Sequence, residues 1–124
     1  MNYKAIPEEV LKEILLLTEA KKKMDLREQA QEKFMPFAHH VYDGFIEGKH
    51  HRIIAEKLEK VARGEIKRLI VNMPPRHSKS EFASFMMPAW FLGRNPKLKI
   101  IQATHNTELA VRFGRKVRDL IADP

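Results

Sequence analysis

The residues best suited to chemistry form one short run, Met73-Pro74-Pro75-Arg76-His77-Ser78-Lys79-Ser80. Phosphate-binding loops have the pattern G-x-x-x-x-G-K-[ST], and Lys79 and Ser80 match its last two positions. Met73 and Ser78 stand where the pattern has glycine. In such a loop the lysine reaches the β- and γ-phosphates, the hydroxyl holds Mg²⁺, and backbone N–H groups face the anion. The alternative is a proline turn followed by a chance Lys-Ser pair.

A second cation, Arg76, lies inside the same run. Its planar guanidinium could hold two phosphate oxygens at once, or it could be an ordinary surface arginine. Pro74, Pro75 and His77 complete the loop, and Glu81 follows it directly. We therefore predict that residues 74–81 contact a nucleotide.

The segments around the loop predict how it is held. Residues 67–72 form a short, β-branched apolar run that is typical of a buried strand. Residues 79–87 predict a helix that is kinked or ended at Pro88, and residues 98–104 predict a second strand before a last helix. The order strand, loop, helix, strand, helix predicts an α/β fold with a partial parallel sheet.

The last helix is predicted to start at a cap on Asn106 or Thr107. Its basic residues could contact DNA phosphates, although a solvated helix face explains them equally simply; they are Arg112, Arg115, Lys116 and Arg118.

The region before the loop reads as helical. Pro7 followed by two glutamates suits a helix start, and Asp25 with Glu28 resembles a capping box that predicts a second, shorter helix. Residues 50–63 have helical apolar spacing, and Gly64 is placed to end that helix. We therefore predict a helical segment over residues 1–48 and the first part of an ATPase domain over residues 49–124.

Charge and composition restrict the partners. The net charge is +7, and residues 63–124 supply all of it, with twelve basic and five acidic side chains. Such a basic half attracts nucleotides or nucleic acid, or it only aids solubility. No cysteine is present, and the histidine pairs His39-His40 and His50-His51 lack helical metal spacing, so no metal site is predicted from them. The longest apolar stretch, residues 85–92, is too short to span a bilayer, so we expect a soluble, intracellular protein.

A resemblance to a known family adds to these patterns. The run Arg68-Leu69-Ile70-Val71-Asn72-Met73-Pro74-Pro75-Arg76-His77-Ser78-Lys79-Ser80-Glu81 resembles the Walker A region of tailed-phage terminase large subunits. That family often has Pro-Pro-Arg-His-Gly/Ser-Lys-Ser at this place, which accounts for the missing glycines. The resemblance continues through residues 88–96, 103–105 and 109–115.

The resemblance implies a P-loop NTPase fold and an ATPase motor that drives double-stranded DNA into a prohead, joined to a nuclease. By position, Lys79 and Arg76 would act catalytically on the phosphates, Ser80 would hold Mg²⁺, and residues upstream of the loop would bind adenine. We name His51 and Arg52 for that last role because they open the helix before the loop. The implied partners are the portal protein, the terminase small subunit and further copies in a ring, inside an infected or prophage-bearing bacterium.

The sequence lacks parts that such an enzyme needs. Residues 98–104 end at Thr104 and are followed by His105 and Asn106 rather than by the acids of a Walker B strand, and no carboxylate cluster suits a two-metal nuclease. We therefore expect an incomplete ATPase domain that hydrolyses little or no ATP by itself. The alternatives are a non-enzymatic nucleic-acid-binding module and a piece of another P-loop motor such as a helicase.

Overall fold

The computed structural model describes residues 6–123, so the first five residues of the predicted segment 1–48, and Pro124, lie outside the described part. Its regular structure consists of helices, with one π-helical turn directly ahead of α4. They are α1 (Glu8–Glu32), α2 (Phe34–Val41), α3 (Lys49–Ala62), the π-helical turn (Glu81–Met86), α4 (Met87–Arg94) and α5 (Thr107–Ala122).

The core lies between α2, α3 and the helical run that joins the π-helical turn to α4. Phe34, Phe82 and Met86 are completely buried. The Phe34 ring meets Phe82 and Trp90 edge-on, with centroids 5.3 and 5.6 Å apart, and α3 adds Leu58 to the same cluster. Such aromatic contacts add to the free energy of burial. The cluster draws on residues from both predicted segments, 1–48 and 49–124, and that division stays a prediction.

The first helix is longer than the sequence predicts. A second helix was expected to start at Asp25, but α1 runs unbroken from Glu8 to Glu32. Residues 19–32 contain no proline or glycine, so nothing interrupts the backbone hydrogen bonds there. The last turn is fixed from α4, because Trp90 Nε1 donates to Ala30 O at 3.0 Å and Arg94 donates to Glu32 O at 2.7 Å. No helix within residues 6–123, this one included, is both long enough and apolar enough to cross a membrane.

The prediction that Gly64 ends α3 is confirmed. Gly64 has a φ of +77°, a left-handed conformation that suits glycine. Its N–H donates to Val61 O at 3.0 Å, and Glu65 N–H donates to Lys60 O at 2.9 Å. This pair of bonds is a Schellman motif, which satisfies carbonyls that the helix end would otherwise leave free.

The α/β P-loop prediction is wrong. Residues 6–123 contain no β-strand, so the described chain is all-α. Residues 67–73 still alternate like a strand, since Leu69, Val71 and Met73 pack on the core while Ile70 is 85% exposed. A strand, however, requires hydrogen bonds to a neighbour. Residues 67–73 and 98–104 do not bond to each other, so local extended preference does not become a sheet.

The helix after the loop does not end at Pro88, contrary to one of the two expectations. Proline has no N–H for the carbonyl four residues back, which belongs to Ser84. Gln102 Nε2 donates to Ser84 O instead, at 2.6 Å. One step earlier, Met87 N–H donates to Phe82 O, five residues back, and this π-type bond lets the helical run continue into α4.

Candidate phosphate-binding site

The loop before Lys79 has an unusual backbone. Arg76 and Ser78 have φ angles of +63° and +61°, in the left-handed region that glycine occupies easily. For other residues this conformation costs roughly 1–2 kcal/mol each. Ser78 replaces the second glycine of the sequence pattern. Its backbone is left-handed, and glycine adopts that conformation without strain, which explains why the pattern has glycine at this position.

The helical run that starts at Lys79 leaves backbone donors free. Its first bond in the described chain is from Phe82 N–H to Ser78 O, at 2.9 Å. No acceptor within residues 6–123 takes the N–H groups of Ser78, Lys79, Ser80 or Glu81, and no side chain caps this helix start. Four N–H groups at a helix start, together with the positive end of its dipole, favour an anion.

Two cations stand beside these donors. Arg76 and Lys79 are exposed, and neither forms an ion pair with any other residue of the described range. The nearby carboxylate of Glu81 is taken by Lys116 on α5, whose Nζ lies 3.1 Å from Oε1. That ammonium also sits 5.1 Å from the centre of the Phe85 ring. Lys116 therefore screens the negative charge of Glu81, and the two loop cations have no ion-pair partner among residues 6–123.

A hollow of about 290 Å³ opens beside the loop. Ser78 and Glu81 line it from the loop side, and aromatic and apolar side chains close the rest: Tyr42, Phe45, Ile46, His51, Phe82 and Met86. A larger hollow of about 620 Å³ lies elsewhere, between α1, α2 and α4, and includes no loop residue. Size alone therefore does not identify the site; the smaller hollow is the candidate because it is lined by Ser78 and Glu81, whose N–H groups have no acceptor within residues 6–123.

His51 is a buried polar residue on this hollow, with 7% of its surface exposed. Its Nδ1 accepts the Gly48 N–H at 2.9 Å, which is the half of a capping box that a glycine cap allows. In the neutral ring the proton therefore lies on Nε2, which is buried and has no partner within the described residues. Burial lowers the pKa of His51, and the neighbouring imidazoles of His50 and His77 lower it further against the opposing effect of Glu47.

Arg52, the other predicted adenine contact, does not lie at this hollow. It is exposed, and its guanidinium pairs with the Glu47 carboxylate. His39 Nε2 lies 2.8 Å from the same carboxylate, and the hydrogen bonds from His39 and Arg52 lower the pKa of Glu47. The structure therefore brings His51, but not Arg52, to the predicted loop.

The remaining loop residues are largely exposed. Pro74, Pro75, His77 and Ser80 face solvent, and the His77 Nδ1 atom lies 2.9 Å from Pro75 O. Within residues 6–123 no cluster of three histidine or acidic side chains could hold a metal. The Ser80 hydroxyl is a single oxygen ligand, so it fits a Mg²⁺ ion that arrives with phosphates better than a resident metal.

Sequence reasoning missed two parts of the site. The aromatic residues Tyr42 and Phe45 were not among the predicted site residues, yet they line the hollow beside His51. The contact of Lys116 with Glu81 joins residues 35 positions apart, and no spacing rule predicts it. Comparisons with protein-family models, with curated proteins and with solved structures found no match. The resemblance to terminase large subunits therefore stays a prediction from the motif residues alone.

Proposed function

We propose that residues 76–81 bind the phosphate tail of ATP, and that the chain is the ATP-binding part of a DNA-packaging ATPase of the terminase large-subunit type. The observation that carries this proposal is the left-handed pair Arg76 and Ser78, followed at once by four N–H groups without acceptors. Strained backbone of this kind persists where function requires it. The proposal concerns this loop and does not depend on a sheet.

Each side chain of the loop has a separate role in the proposal. The free N–H groups and Lys79 take the β- and γ-phosphate oxygens, and Arg76 adds a two-pronged contact to the terminal phosphate. The Ser80 hydroxyl completes the shell of the Mg²⁺ ion that accompanies ATP. Lys116 neutralises the Glu81 carboxylate, at 3.1 Å from its own ammonium, and so reduces its repulsion of the incoming phosphates.

The hollow beside the loop suits the base of the nucleotide. At about 290 Å³ it lies at the lower limit of ordinary ligand pockets, so we assign it to the base alone and not to the whole nucleotide. The half-buried Phe45 offers an aromatic surface to the base, and the buried His51 Nε2–H in the wall of the hollow supplies a donor for a ring nitrogen. A ligand that accepts this bond satisfies a buried donor that has no other acceptor among the described residues.

The chain by itself should bind ATP without turning it over. Hydrolysis needs a carboxylate that orients water, and residues 98–104 supply none. In the whole protein, hydrolysis would drive double-stranded DNA into a prohead, with the portal protein, the small subunit and other copies in a ring as partners. Such a protein would act in the cytoplasm of the infected or prophage-bearing host.

Substitution of Lys79 tests the proposal. Lys79→Ala removes a charge-assisted hydrogen bond of about 1.5–3 kcal/mol, so the affinity for a fluorescent ATP analogue should fall tenfold or more. Lys67→Ala is the matched control, because Lys67 is an exposed lysine outside the loop, and it should leave the affinity unchanged. Equal ATP affinity in Lys79→Ala and the unmodified chain, both folded by circular dichroism, would count decisively against the assignment.

A nucleic-acid-binding module is the second candidate. Arg112 and Arg115 are exposed on α5 and form no ion pair with residues 6–123, which favours contact with phosphates of a polyanion. This candidate predicts duplex binding that falls steeply with salt and ignores ATP. Titration of labelled duplex at two salt concentrations, with Arg112→Gln/Arg115→Gln beside the unmodified chain, separates it from the ATPase proposal.

A further inference from the structure

The first helix carries apolar surface that nothing in the described chain covers. Of its residues only Ala30 is buried, and the contacts with α4 hold only its last turn. Residues 8–24 therefore project from the core. Their large apolar side chains remain 41–67% exposed: Val10, Leu11, Ile14, Leu15, Leu16, Leu17 and Met24. Soluble domains seldom expose so many large apolar residues on one element without a partner.

Part of this surface has the spacing of a helix–helix seam. Val10, Ile14, Leu17 and Met24 lie on one face, at intervals of four, three and seven residues, and Lys21 occupies the position that a strict repeat would add. The stripe extends about 21 Å along the helix. Leu16 lies on a different face and is not part of it.

The charges along α1 indicate how a second helix would lie against this stripe. The first turns carry Glu8, Glu9 and Glu13, and the run Lys21-Lys22-Lys23 lies near the opposite end of the stripe. A parallel copy would set acid against acid and Lys21 against Lys21. An antiparallel copy sets the acidic turns against the lysines at both ends, which is the complementary arrangement.

We propose that α1 pairs with α1 of a second copy of this chain in an antiparallel, two-fold arrangement. Ile14 then packs on Leu17 of the second copy, and Leu17 packs on Ile14 of the second copy, as a self-complementary interface requires. Lys21 lies over Val10 of the second copy, with its apolar stem on the valine and its ammonium toward Glu9 and Glu13. The stripe is short, so the pair belongs to the small and transient class of interfaces, below about 1,200 Å².

Sedimentation of the full 124-residue chain over roughly 5 to 500 µM, a range that covers weak association, should show a reversible monomer–dimer equilibrium. Leu17→Glu places a charge in the seam and should weaken dimerisation at least tenfold. Leu16→Glu is the matched control, since Leu16 is equally exposed, at 67% against 64%, but lies off the stripe. A chain that stays monomeric throughout, or one that Leu16→Glu and Leu17→Glu affect equally, overturns the proposal.

The orientation has its own test, because the chain contains no cysteine. Glu13 and Ala20 share one edge of the stripe, and both are exposed. In the antiparallel pair, Glu13 of one copy meets Ala20 of the other. A mixture of Glu13→Cys and Ala20→Cys chains should form a disulfide-linked dimer far faster than either chain alone. Dimerisation without this preference for the mixture overturns the antiparallel arrangement.

Discussion

Two helical segments of this protein follow similar stretches of chain but differ in how their N-terminal N–H groups are capped. The helical run from Lys79 and the helix α5 each follow a segment without regular structure, residues 67–73 and 98–104. At α5 the cap Asn106 is extended, with a φ of −147°, and its Oδ1 accepts the Leu109 N–H at 2.8 Å. At Lys79 no side chain caps the helix and the preceding backbone is left-handed.

The difference separates a structural helix start from a candidate binding site. At α5 the Asn106 side chain accepts a hydrogen bond from a free N–H group of the first turn, so no ligand is required there. At Lys79 the first N–H groups have no acceptor within the described residues, and two cations lie beside them. The strained conformation before Lys79 is held by Arg76 and Ser78, which are not glycine. A helix start with these properties is suited to an external anion. The next three predictions test this comparison, from the largest expected effect to the smallest.

The largest expected difference is in how much the side chain at each helix start contributes to the free energy of unfolding. Asn106→Ala removes the bond to the Leu109 N–H and should lower the free energy of unfolding by about 1 kcal/mol, within a range of roughly 0.5–2. Ser80→Ala, at the uncapped start, removes no hydrogen bond and should change it by less than about 0.5 kcal/mol. Urea unfolding measures both, with Asn106→Asp as the control that keeps an acceptor. Equal effects at the two positions would remove the distinction.

Glycine at the left-handed position should stabilise the chain. Ser78→Gly relieves a φ of +61° and should raise the free energy of unfolding by about 0.5–1 kcal/mol, after the larger unfolded-state entropy of glycine is taken into account. The same change at Ser84, inside the π-helical turn, should lower it by a few tenths to about 1 kcal/mol. The opposite signs, measured by thermal unfolding, are the expected result. If Ser78→Gly destabilises as Ser84→Gly does, the backbone at Ser78 is not strained.

The buried histidine should contribute a small dependence on pH. Burial holds the pKa of His51 below its value in the unfolded chain, so the unfolded state binds a proton first as the pH falls through the ordinary histidine range. The contribution of His51 to the free energy of unfolding is therefore fully present above about pH 7 and decreases toward pH 5. His51→Gln keeps an acceptor for the Gly48 N–H but cannot titrate, so it should flatten this decrease. His40→Gln, at an exposed histidine, is the control, and an unchanged slope in His51→Gln would contradict the assignment.

Local rules predicted much of the helical structure. The helix over residues 50–63 and its end at Gly64 are confirmed by α3, and the cap at Asn106 is confirmed by its bond to Leu109. These features depend on contacts within a few residues, which the sequence displays directly. The unbroken length of α1 was missed, and the choice between a kink and an end at Pro88 was left open, because Trp90, Arg94 and Gln102 act there from distant positions.

The candidate site was predicted only in part, because the sequence displays neighbours along the chain but not contacts between distant segments. The pattern around Lys79 located the loop and named Arg76 and Ser80, since those residues are neighbours in the chain. The hollow that His51 shares with Phe45 and Ser78 could not be read from spacing, because it joins three separate segments.

The sequence by itself determined where α3 ends and α5 begins, where the phosphate-binding pattern lies, and which segments prefer to be extended. Only the tertiary structure decided that residues 67–73 and 98–104 do not form a sheet, that His51 rather than Arg52 meets the loop, and that Lys116 neutralises Glu81. The physical reason is range: caps, turns and helical spacing act between near neighbours. Strand pairing, burial and ion pairs between helices depend on which distant segments meet.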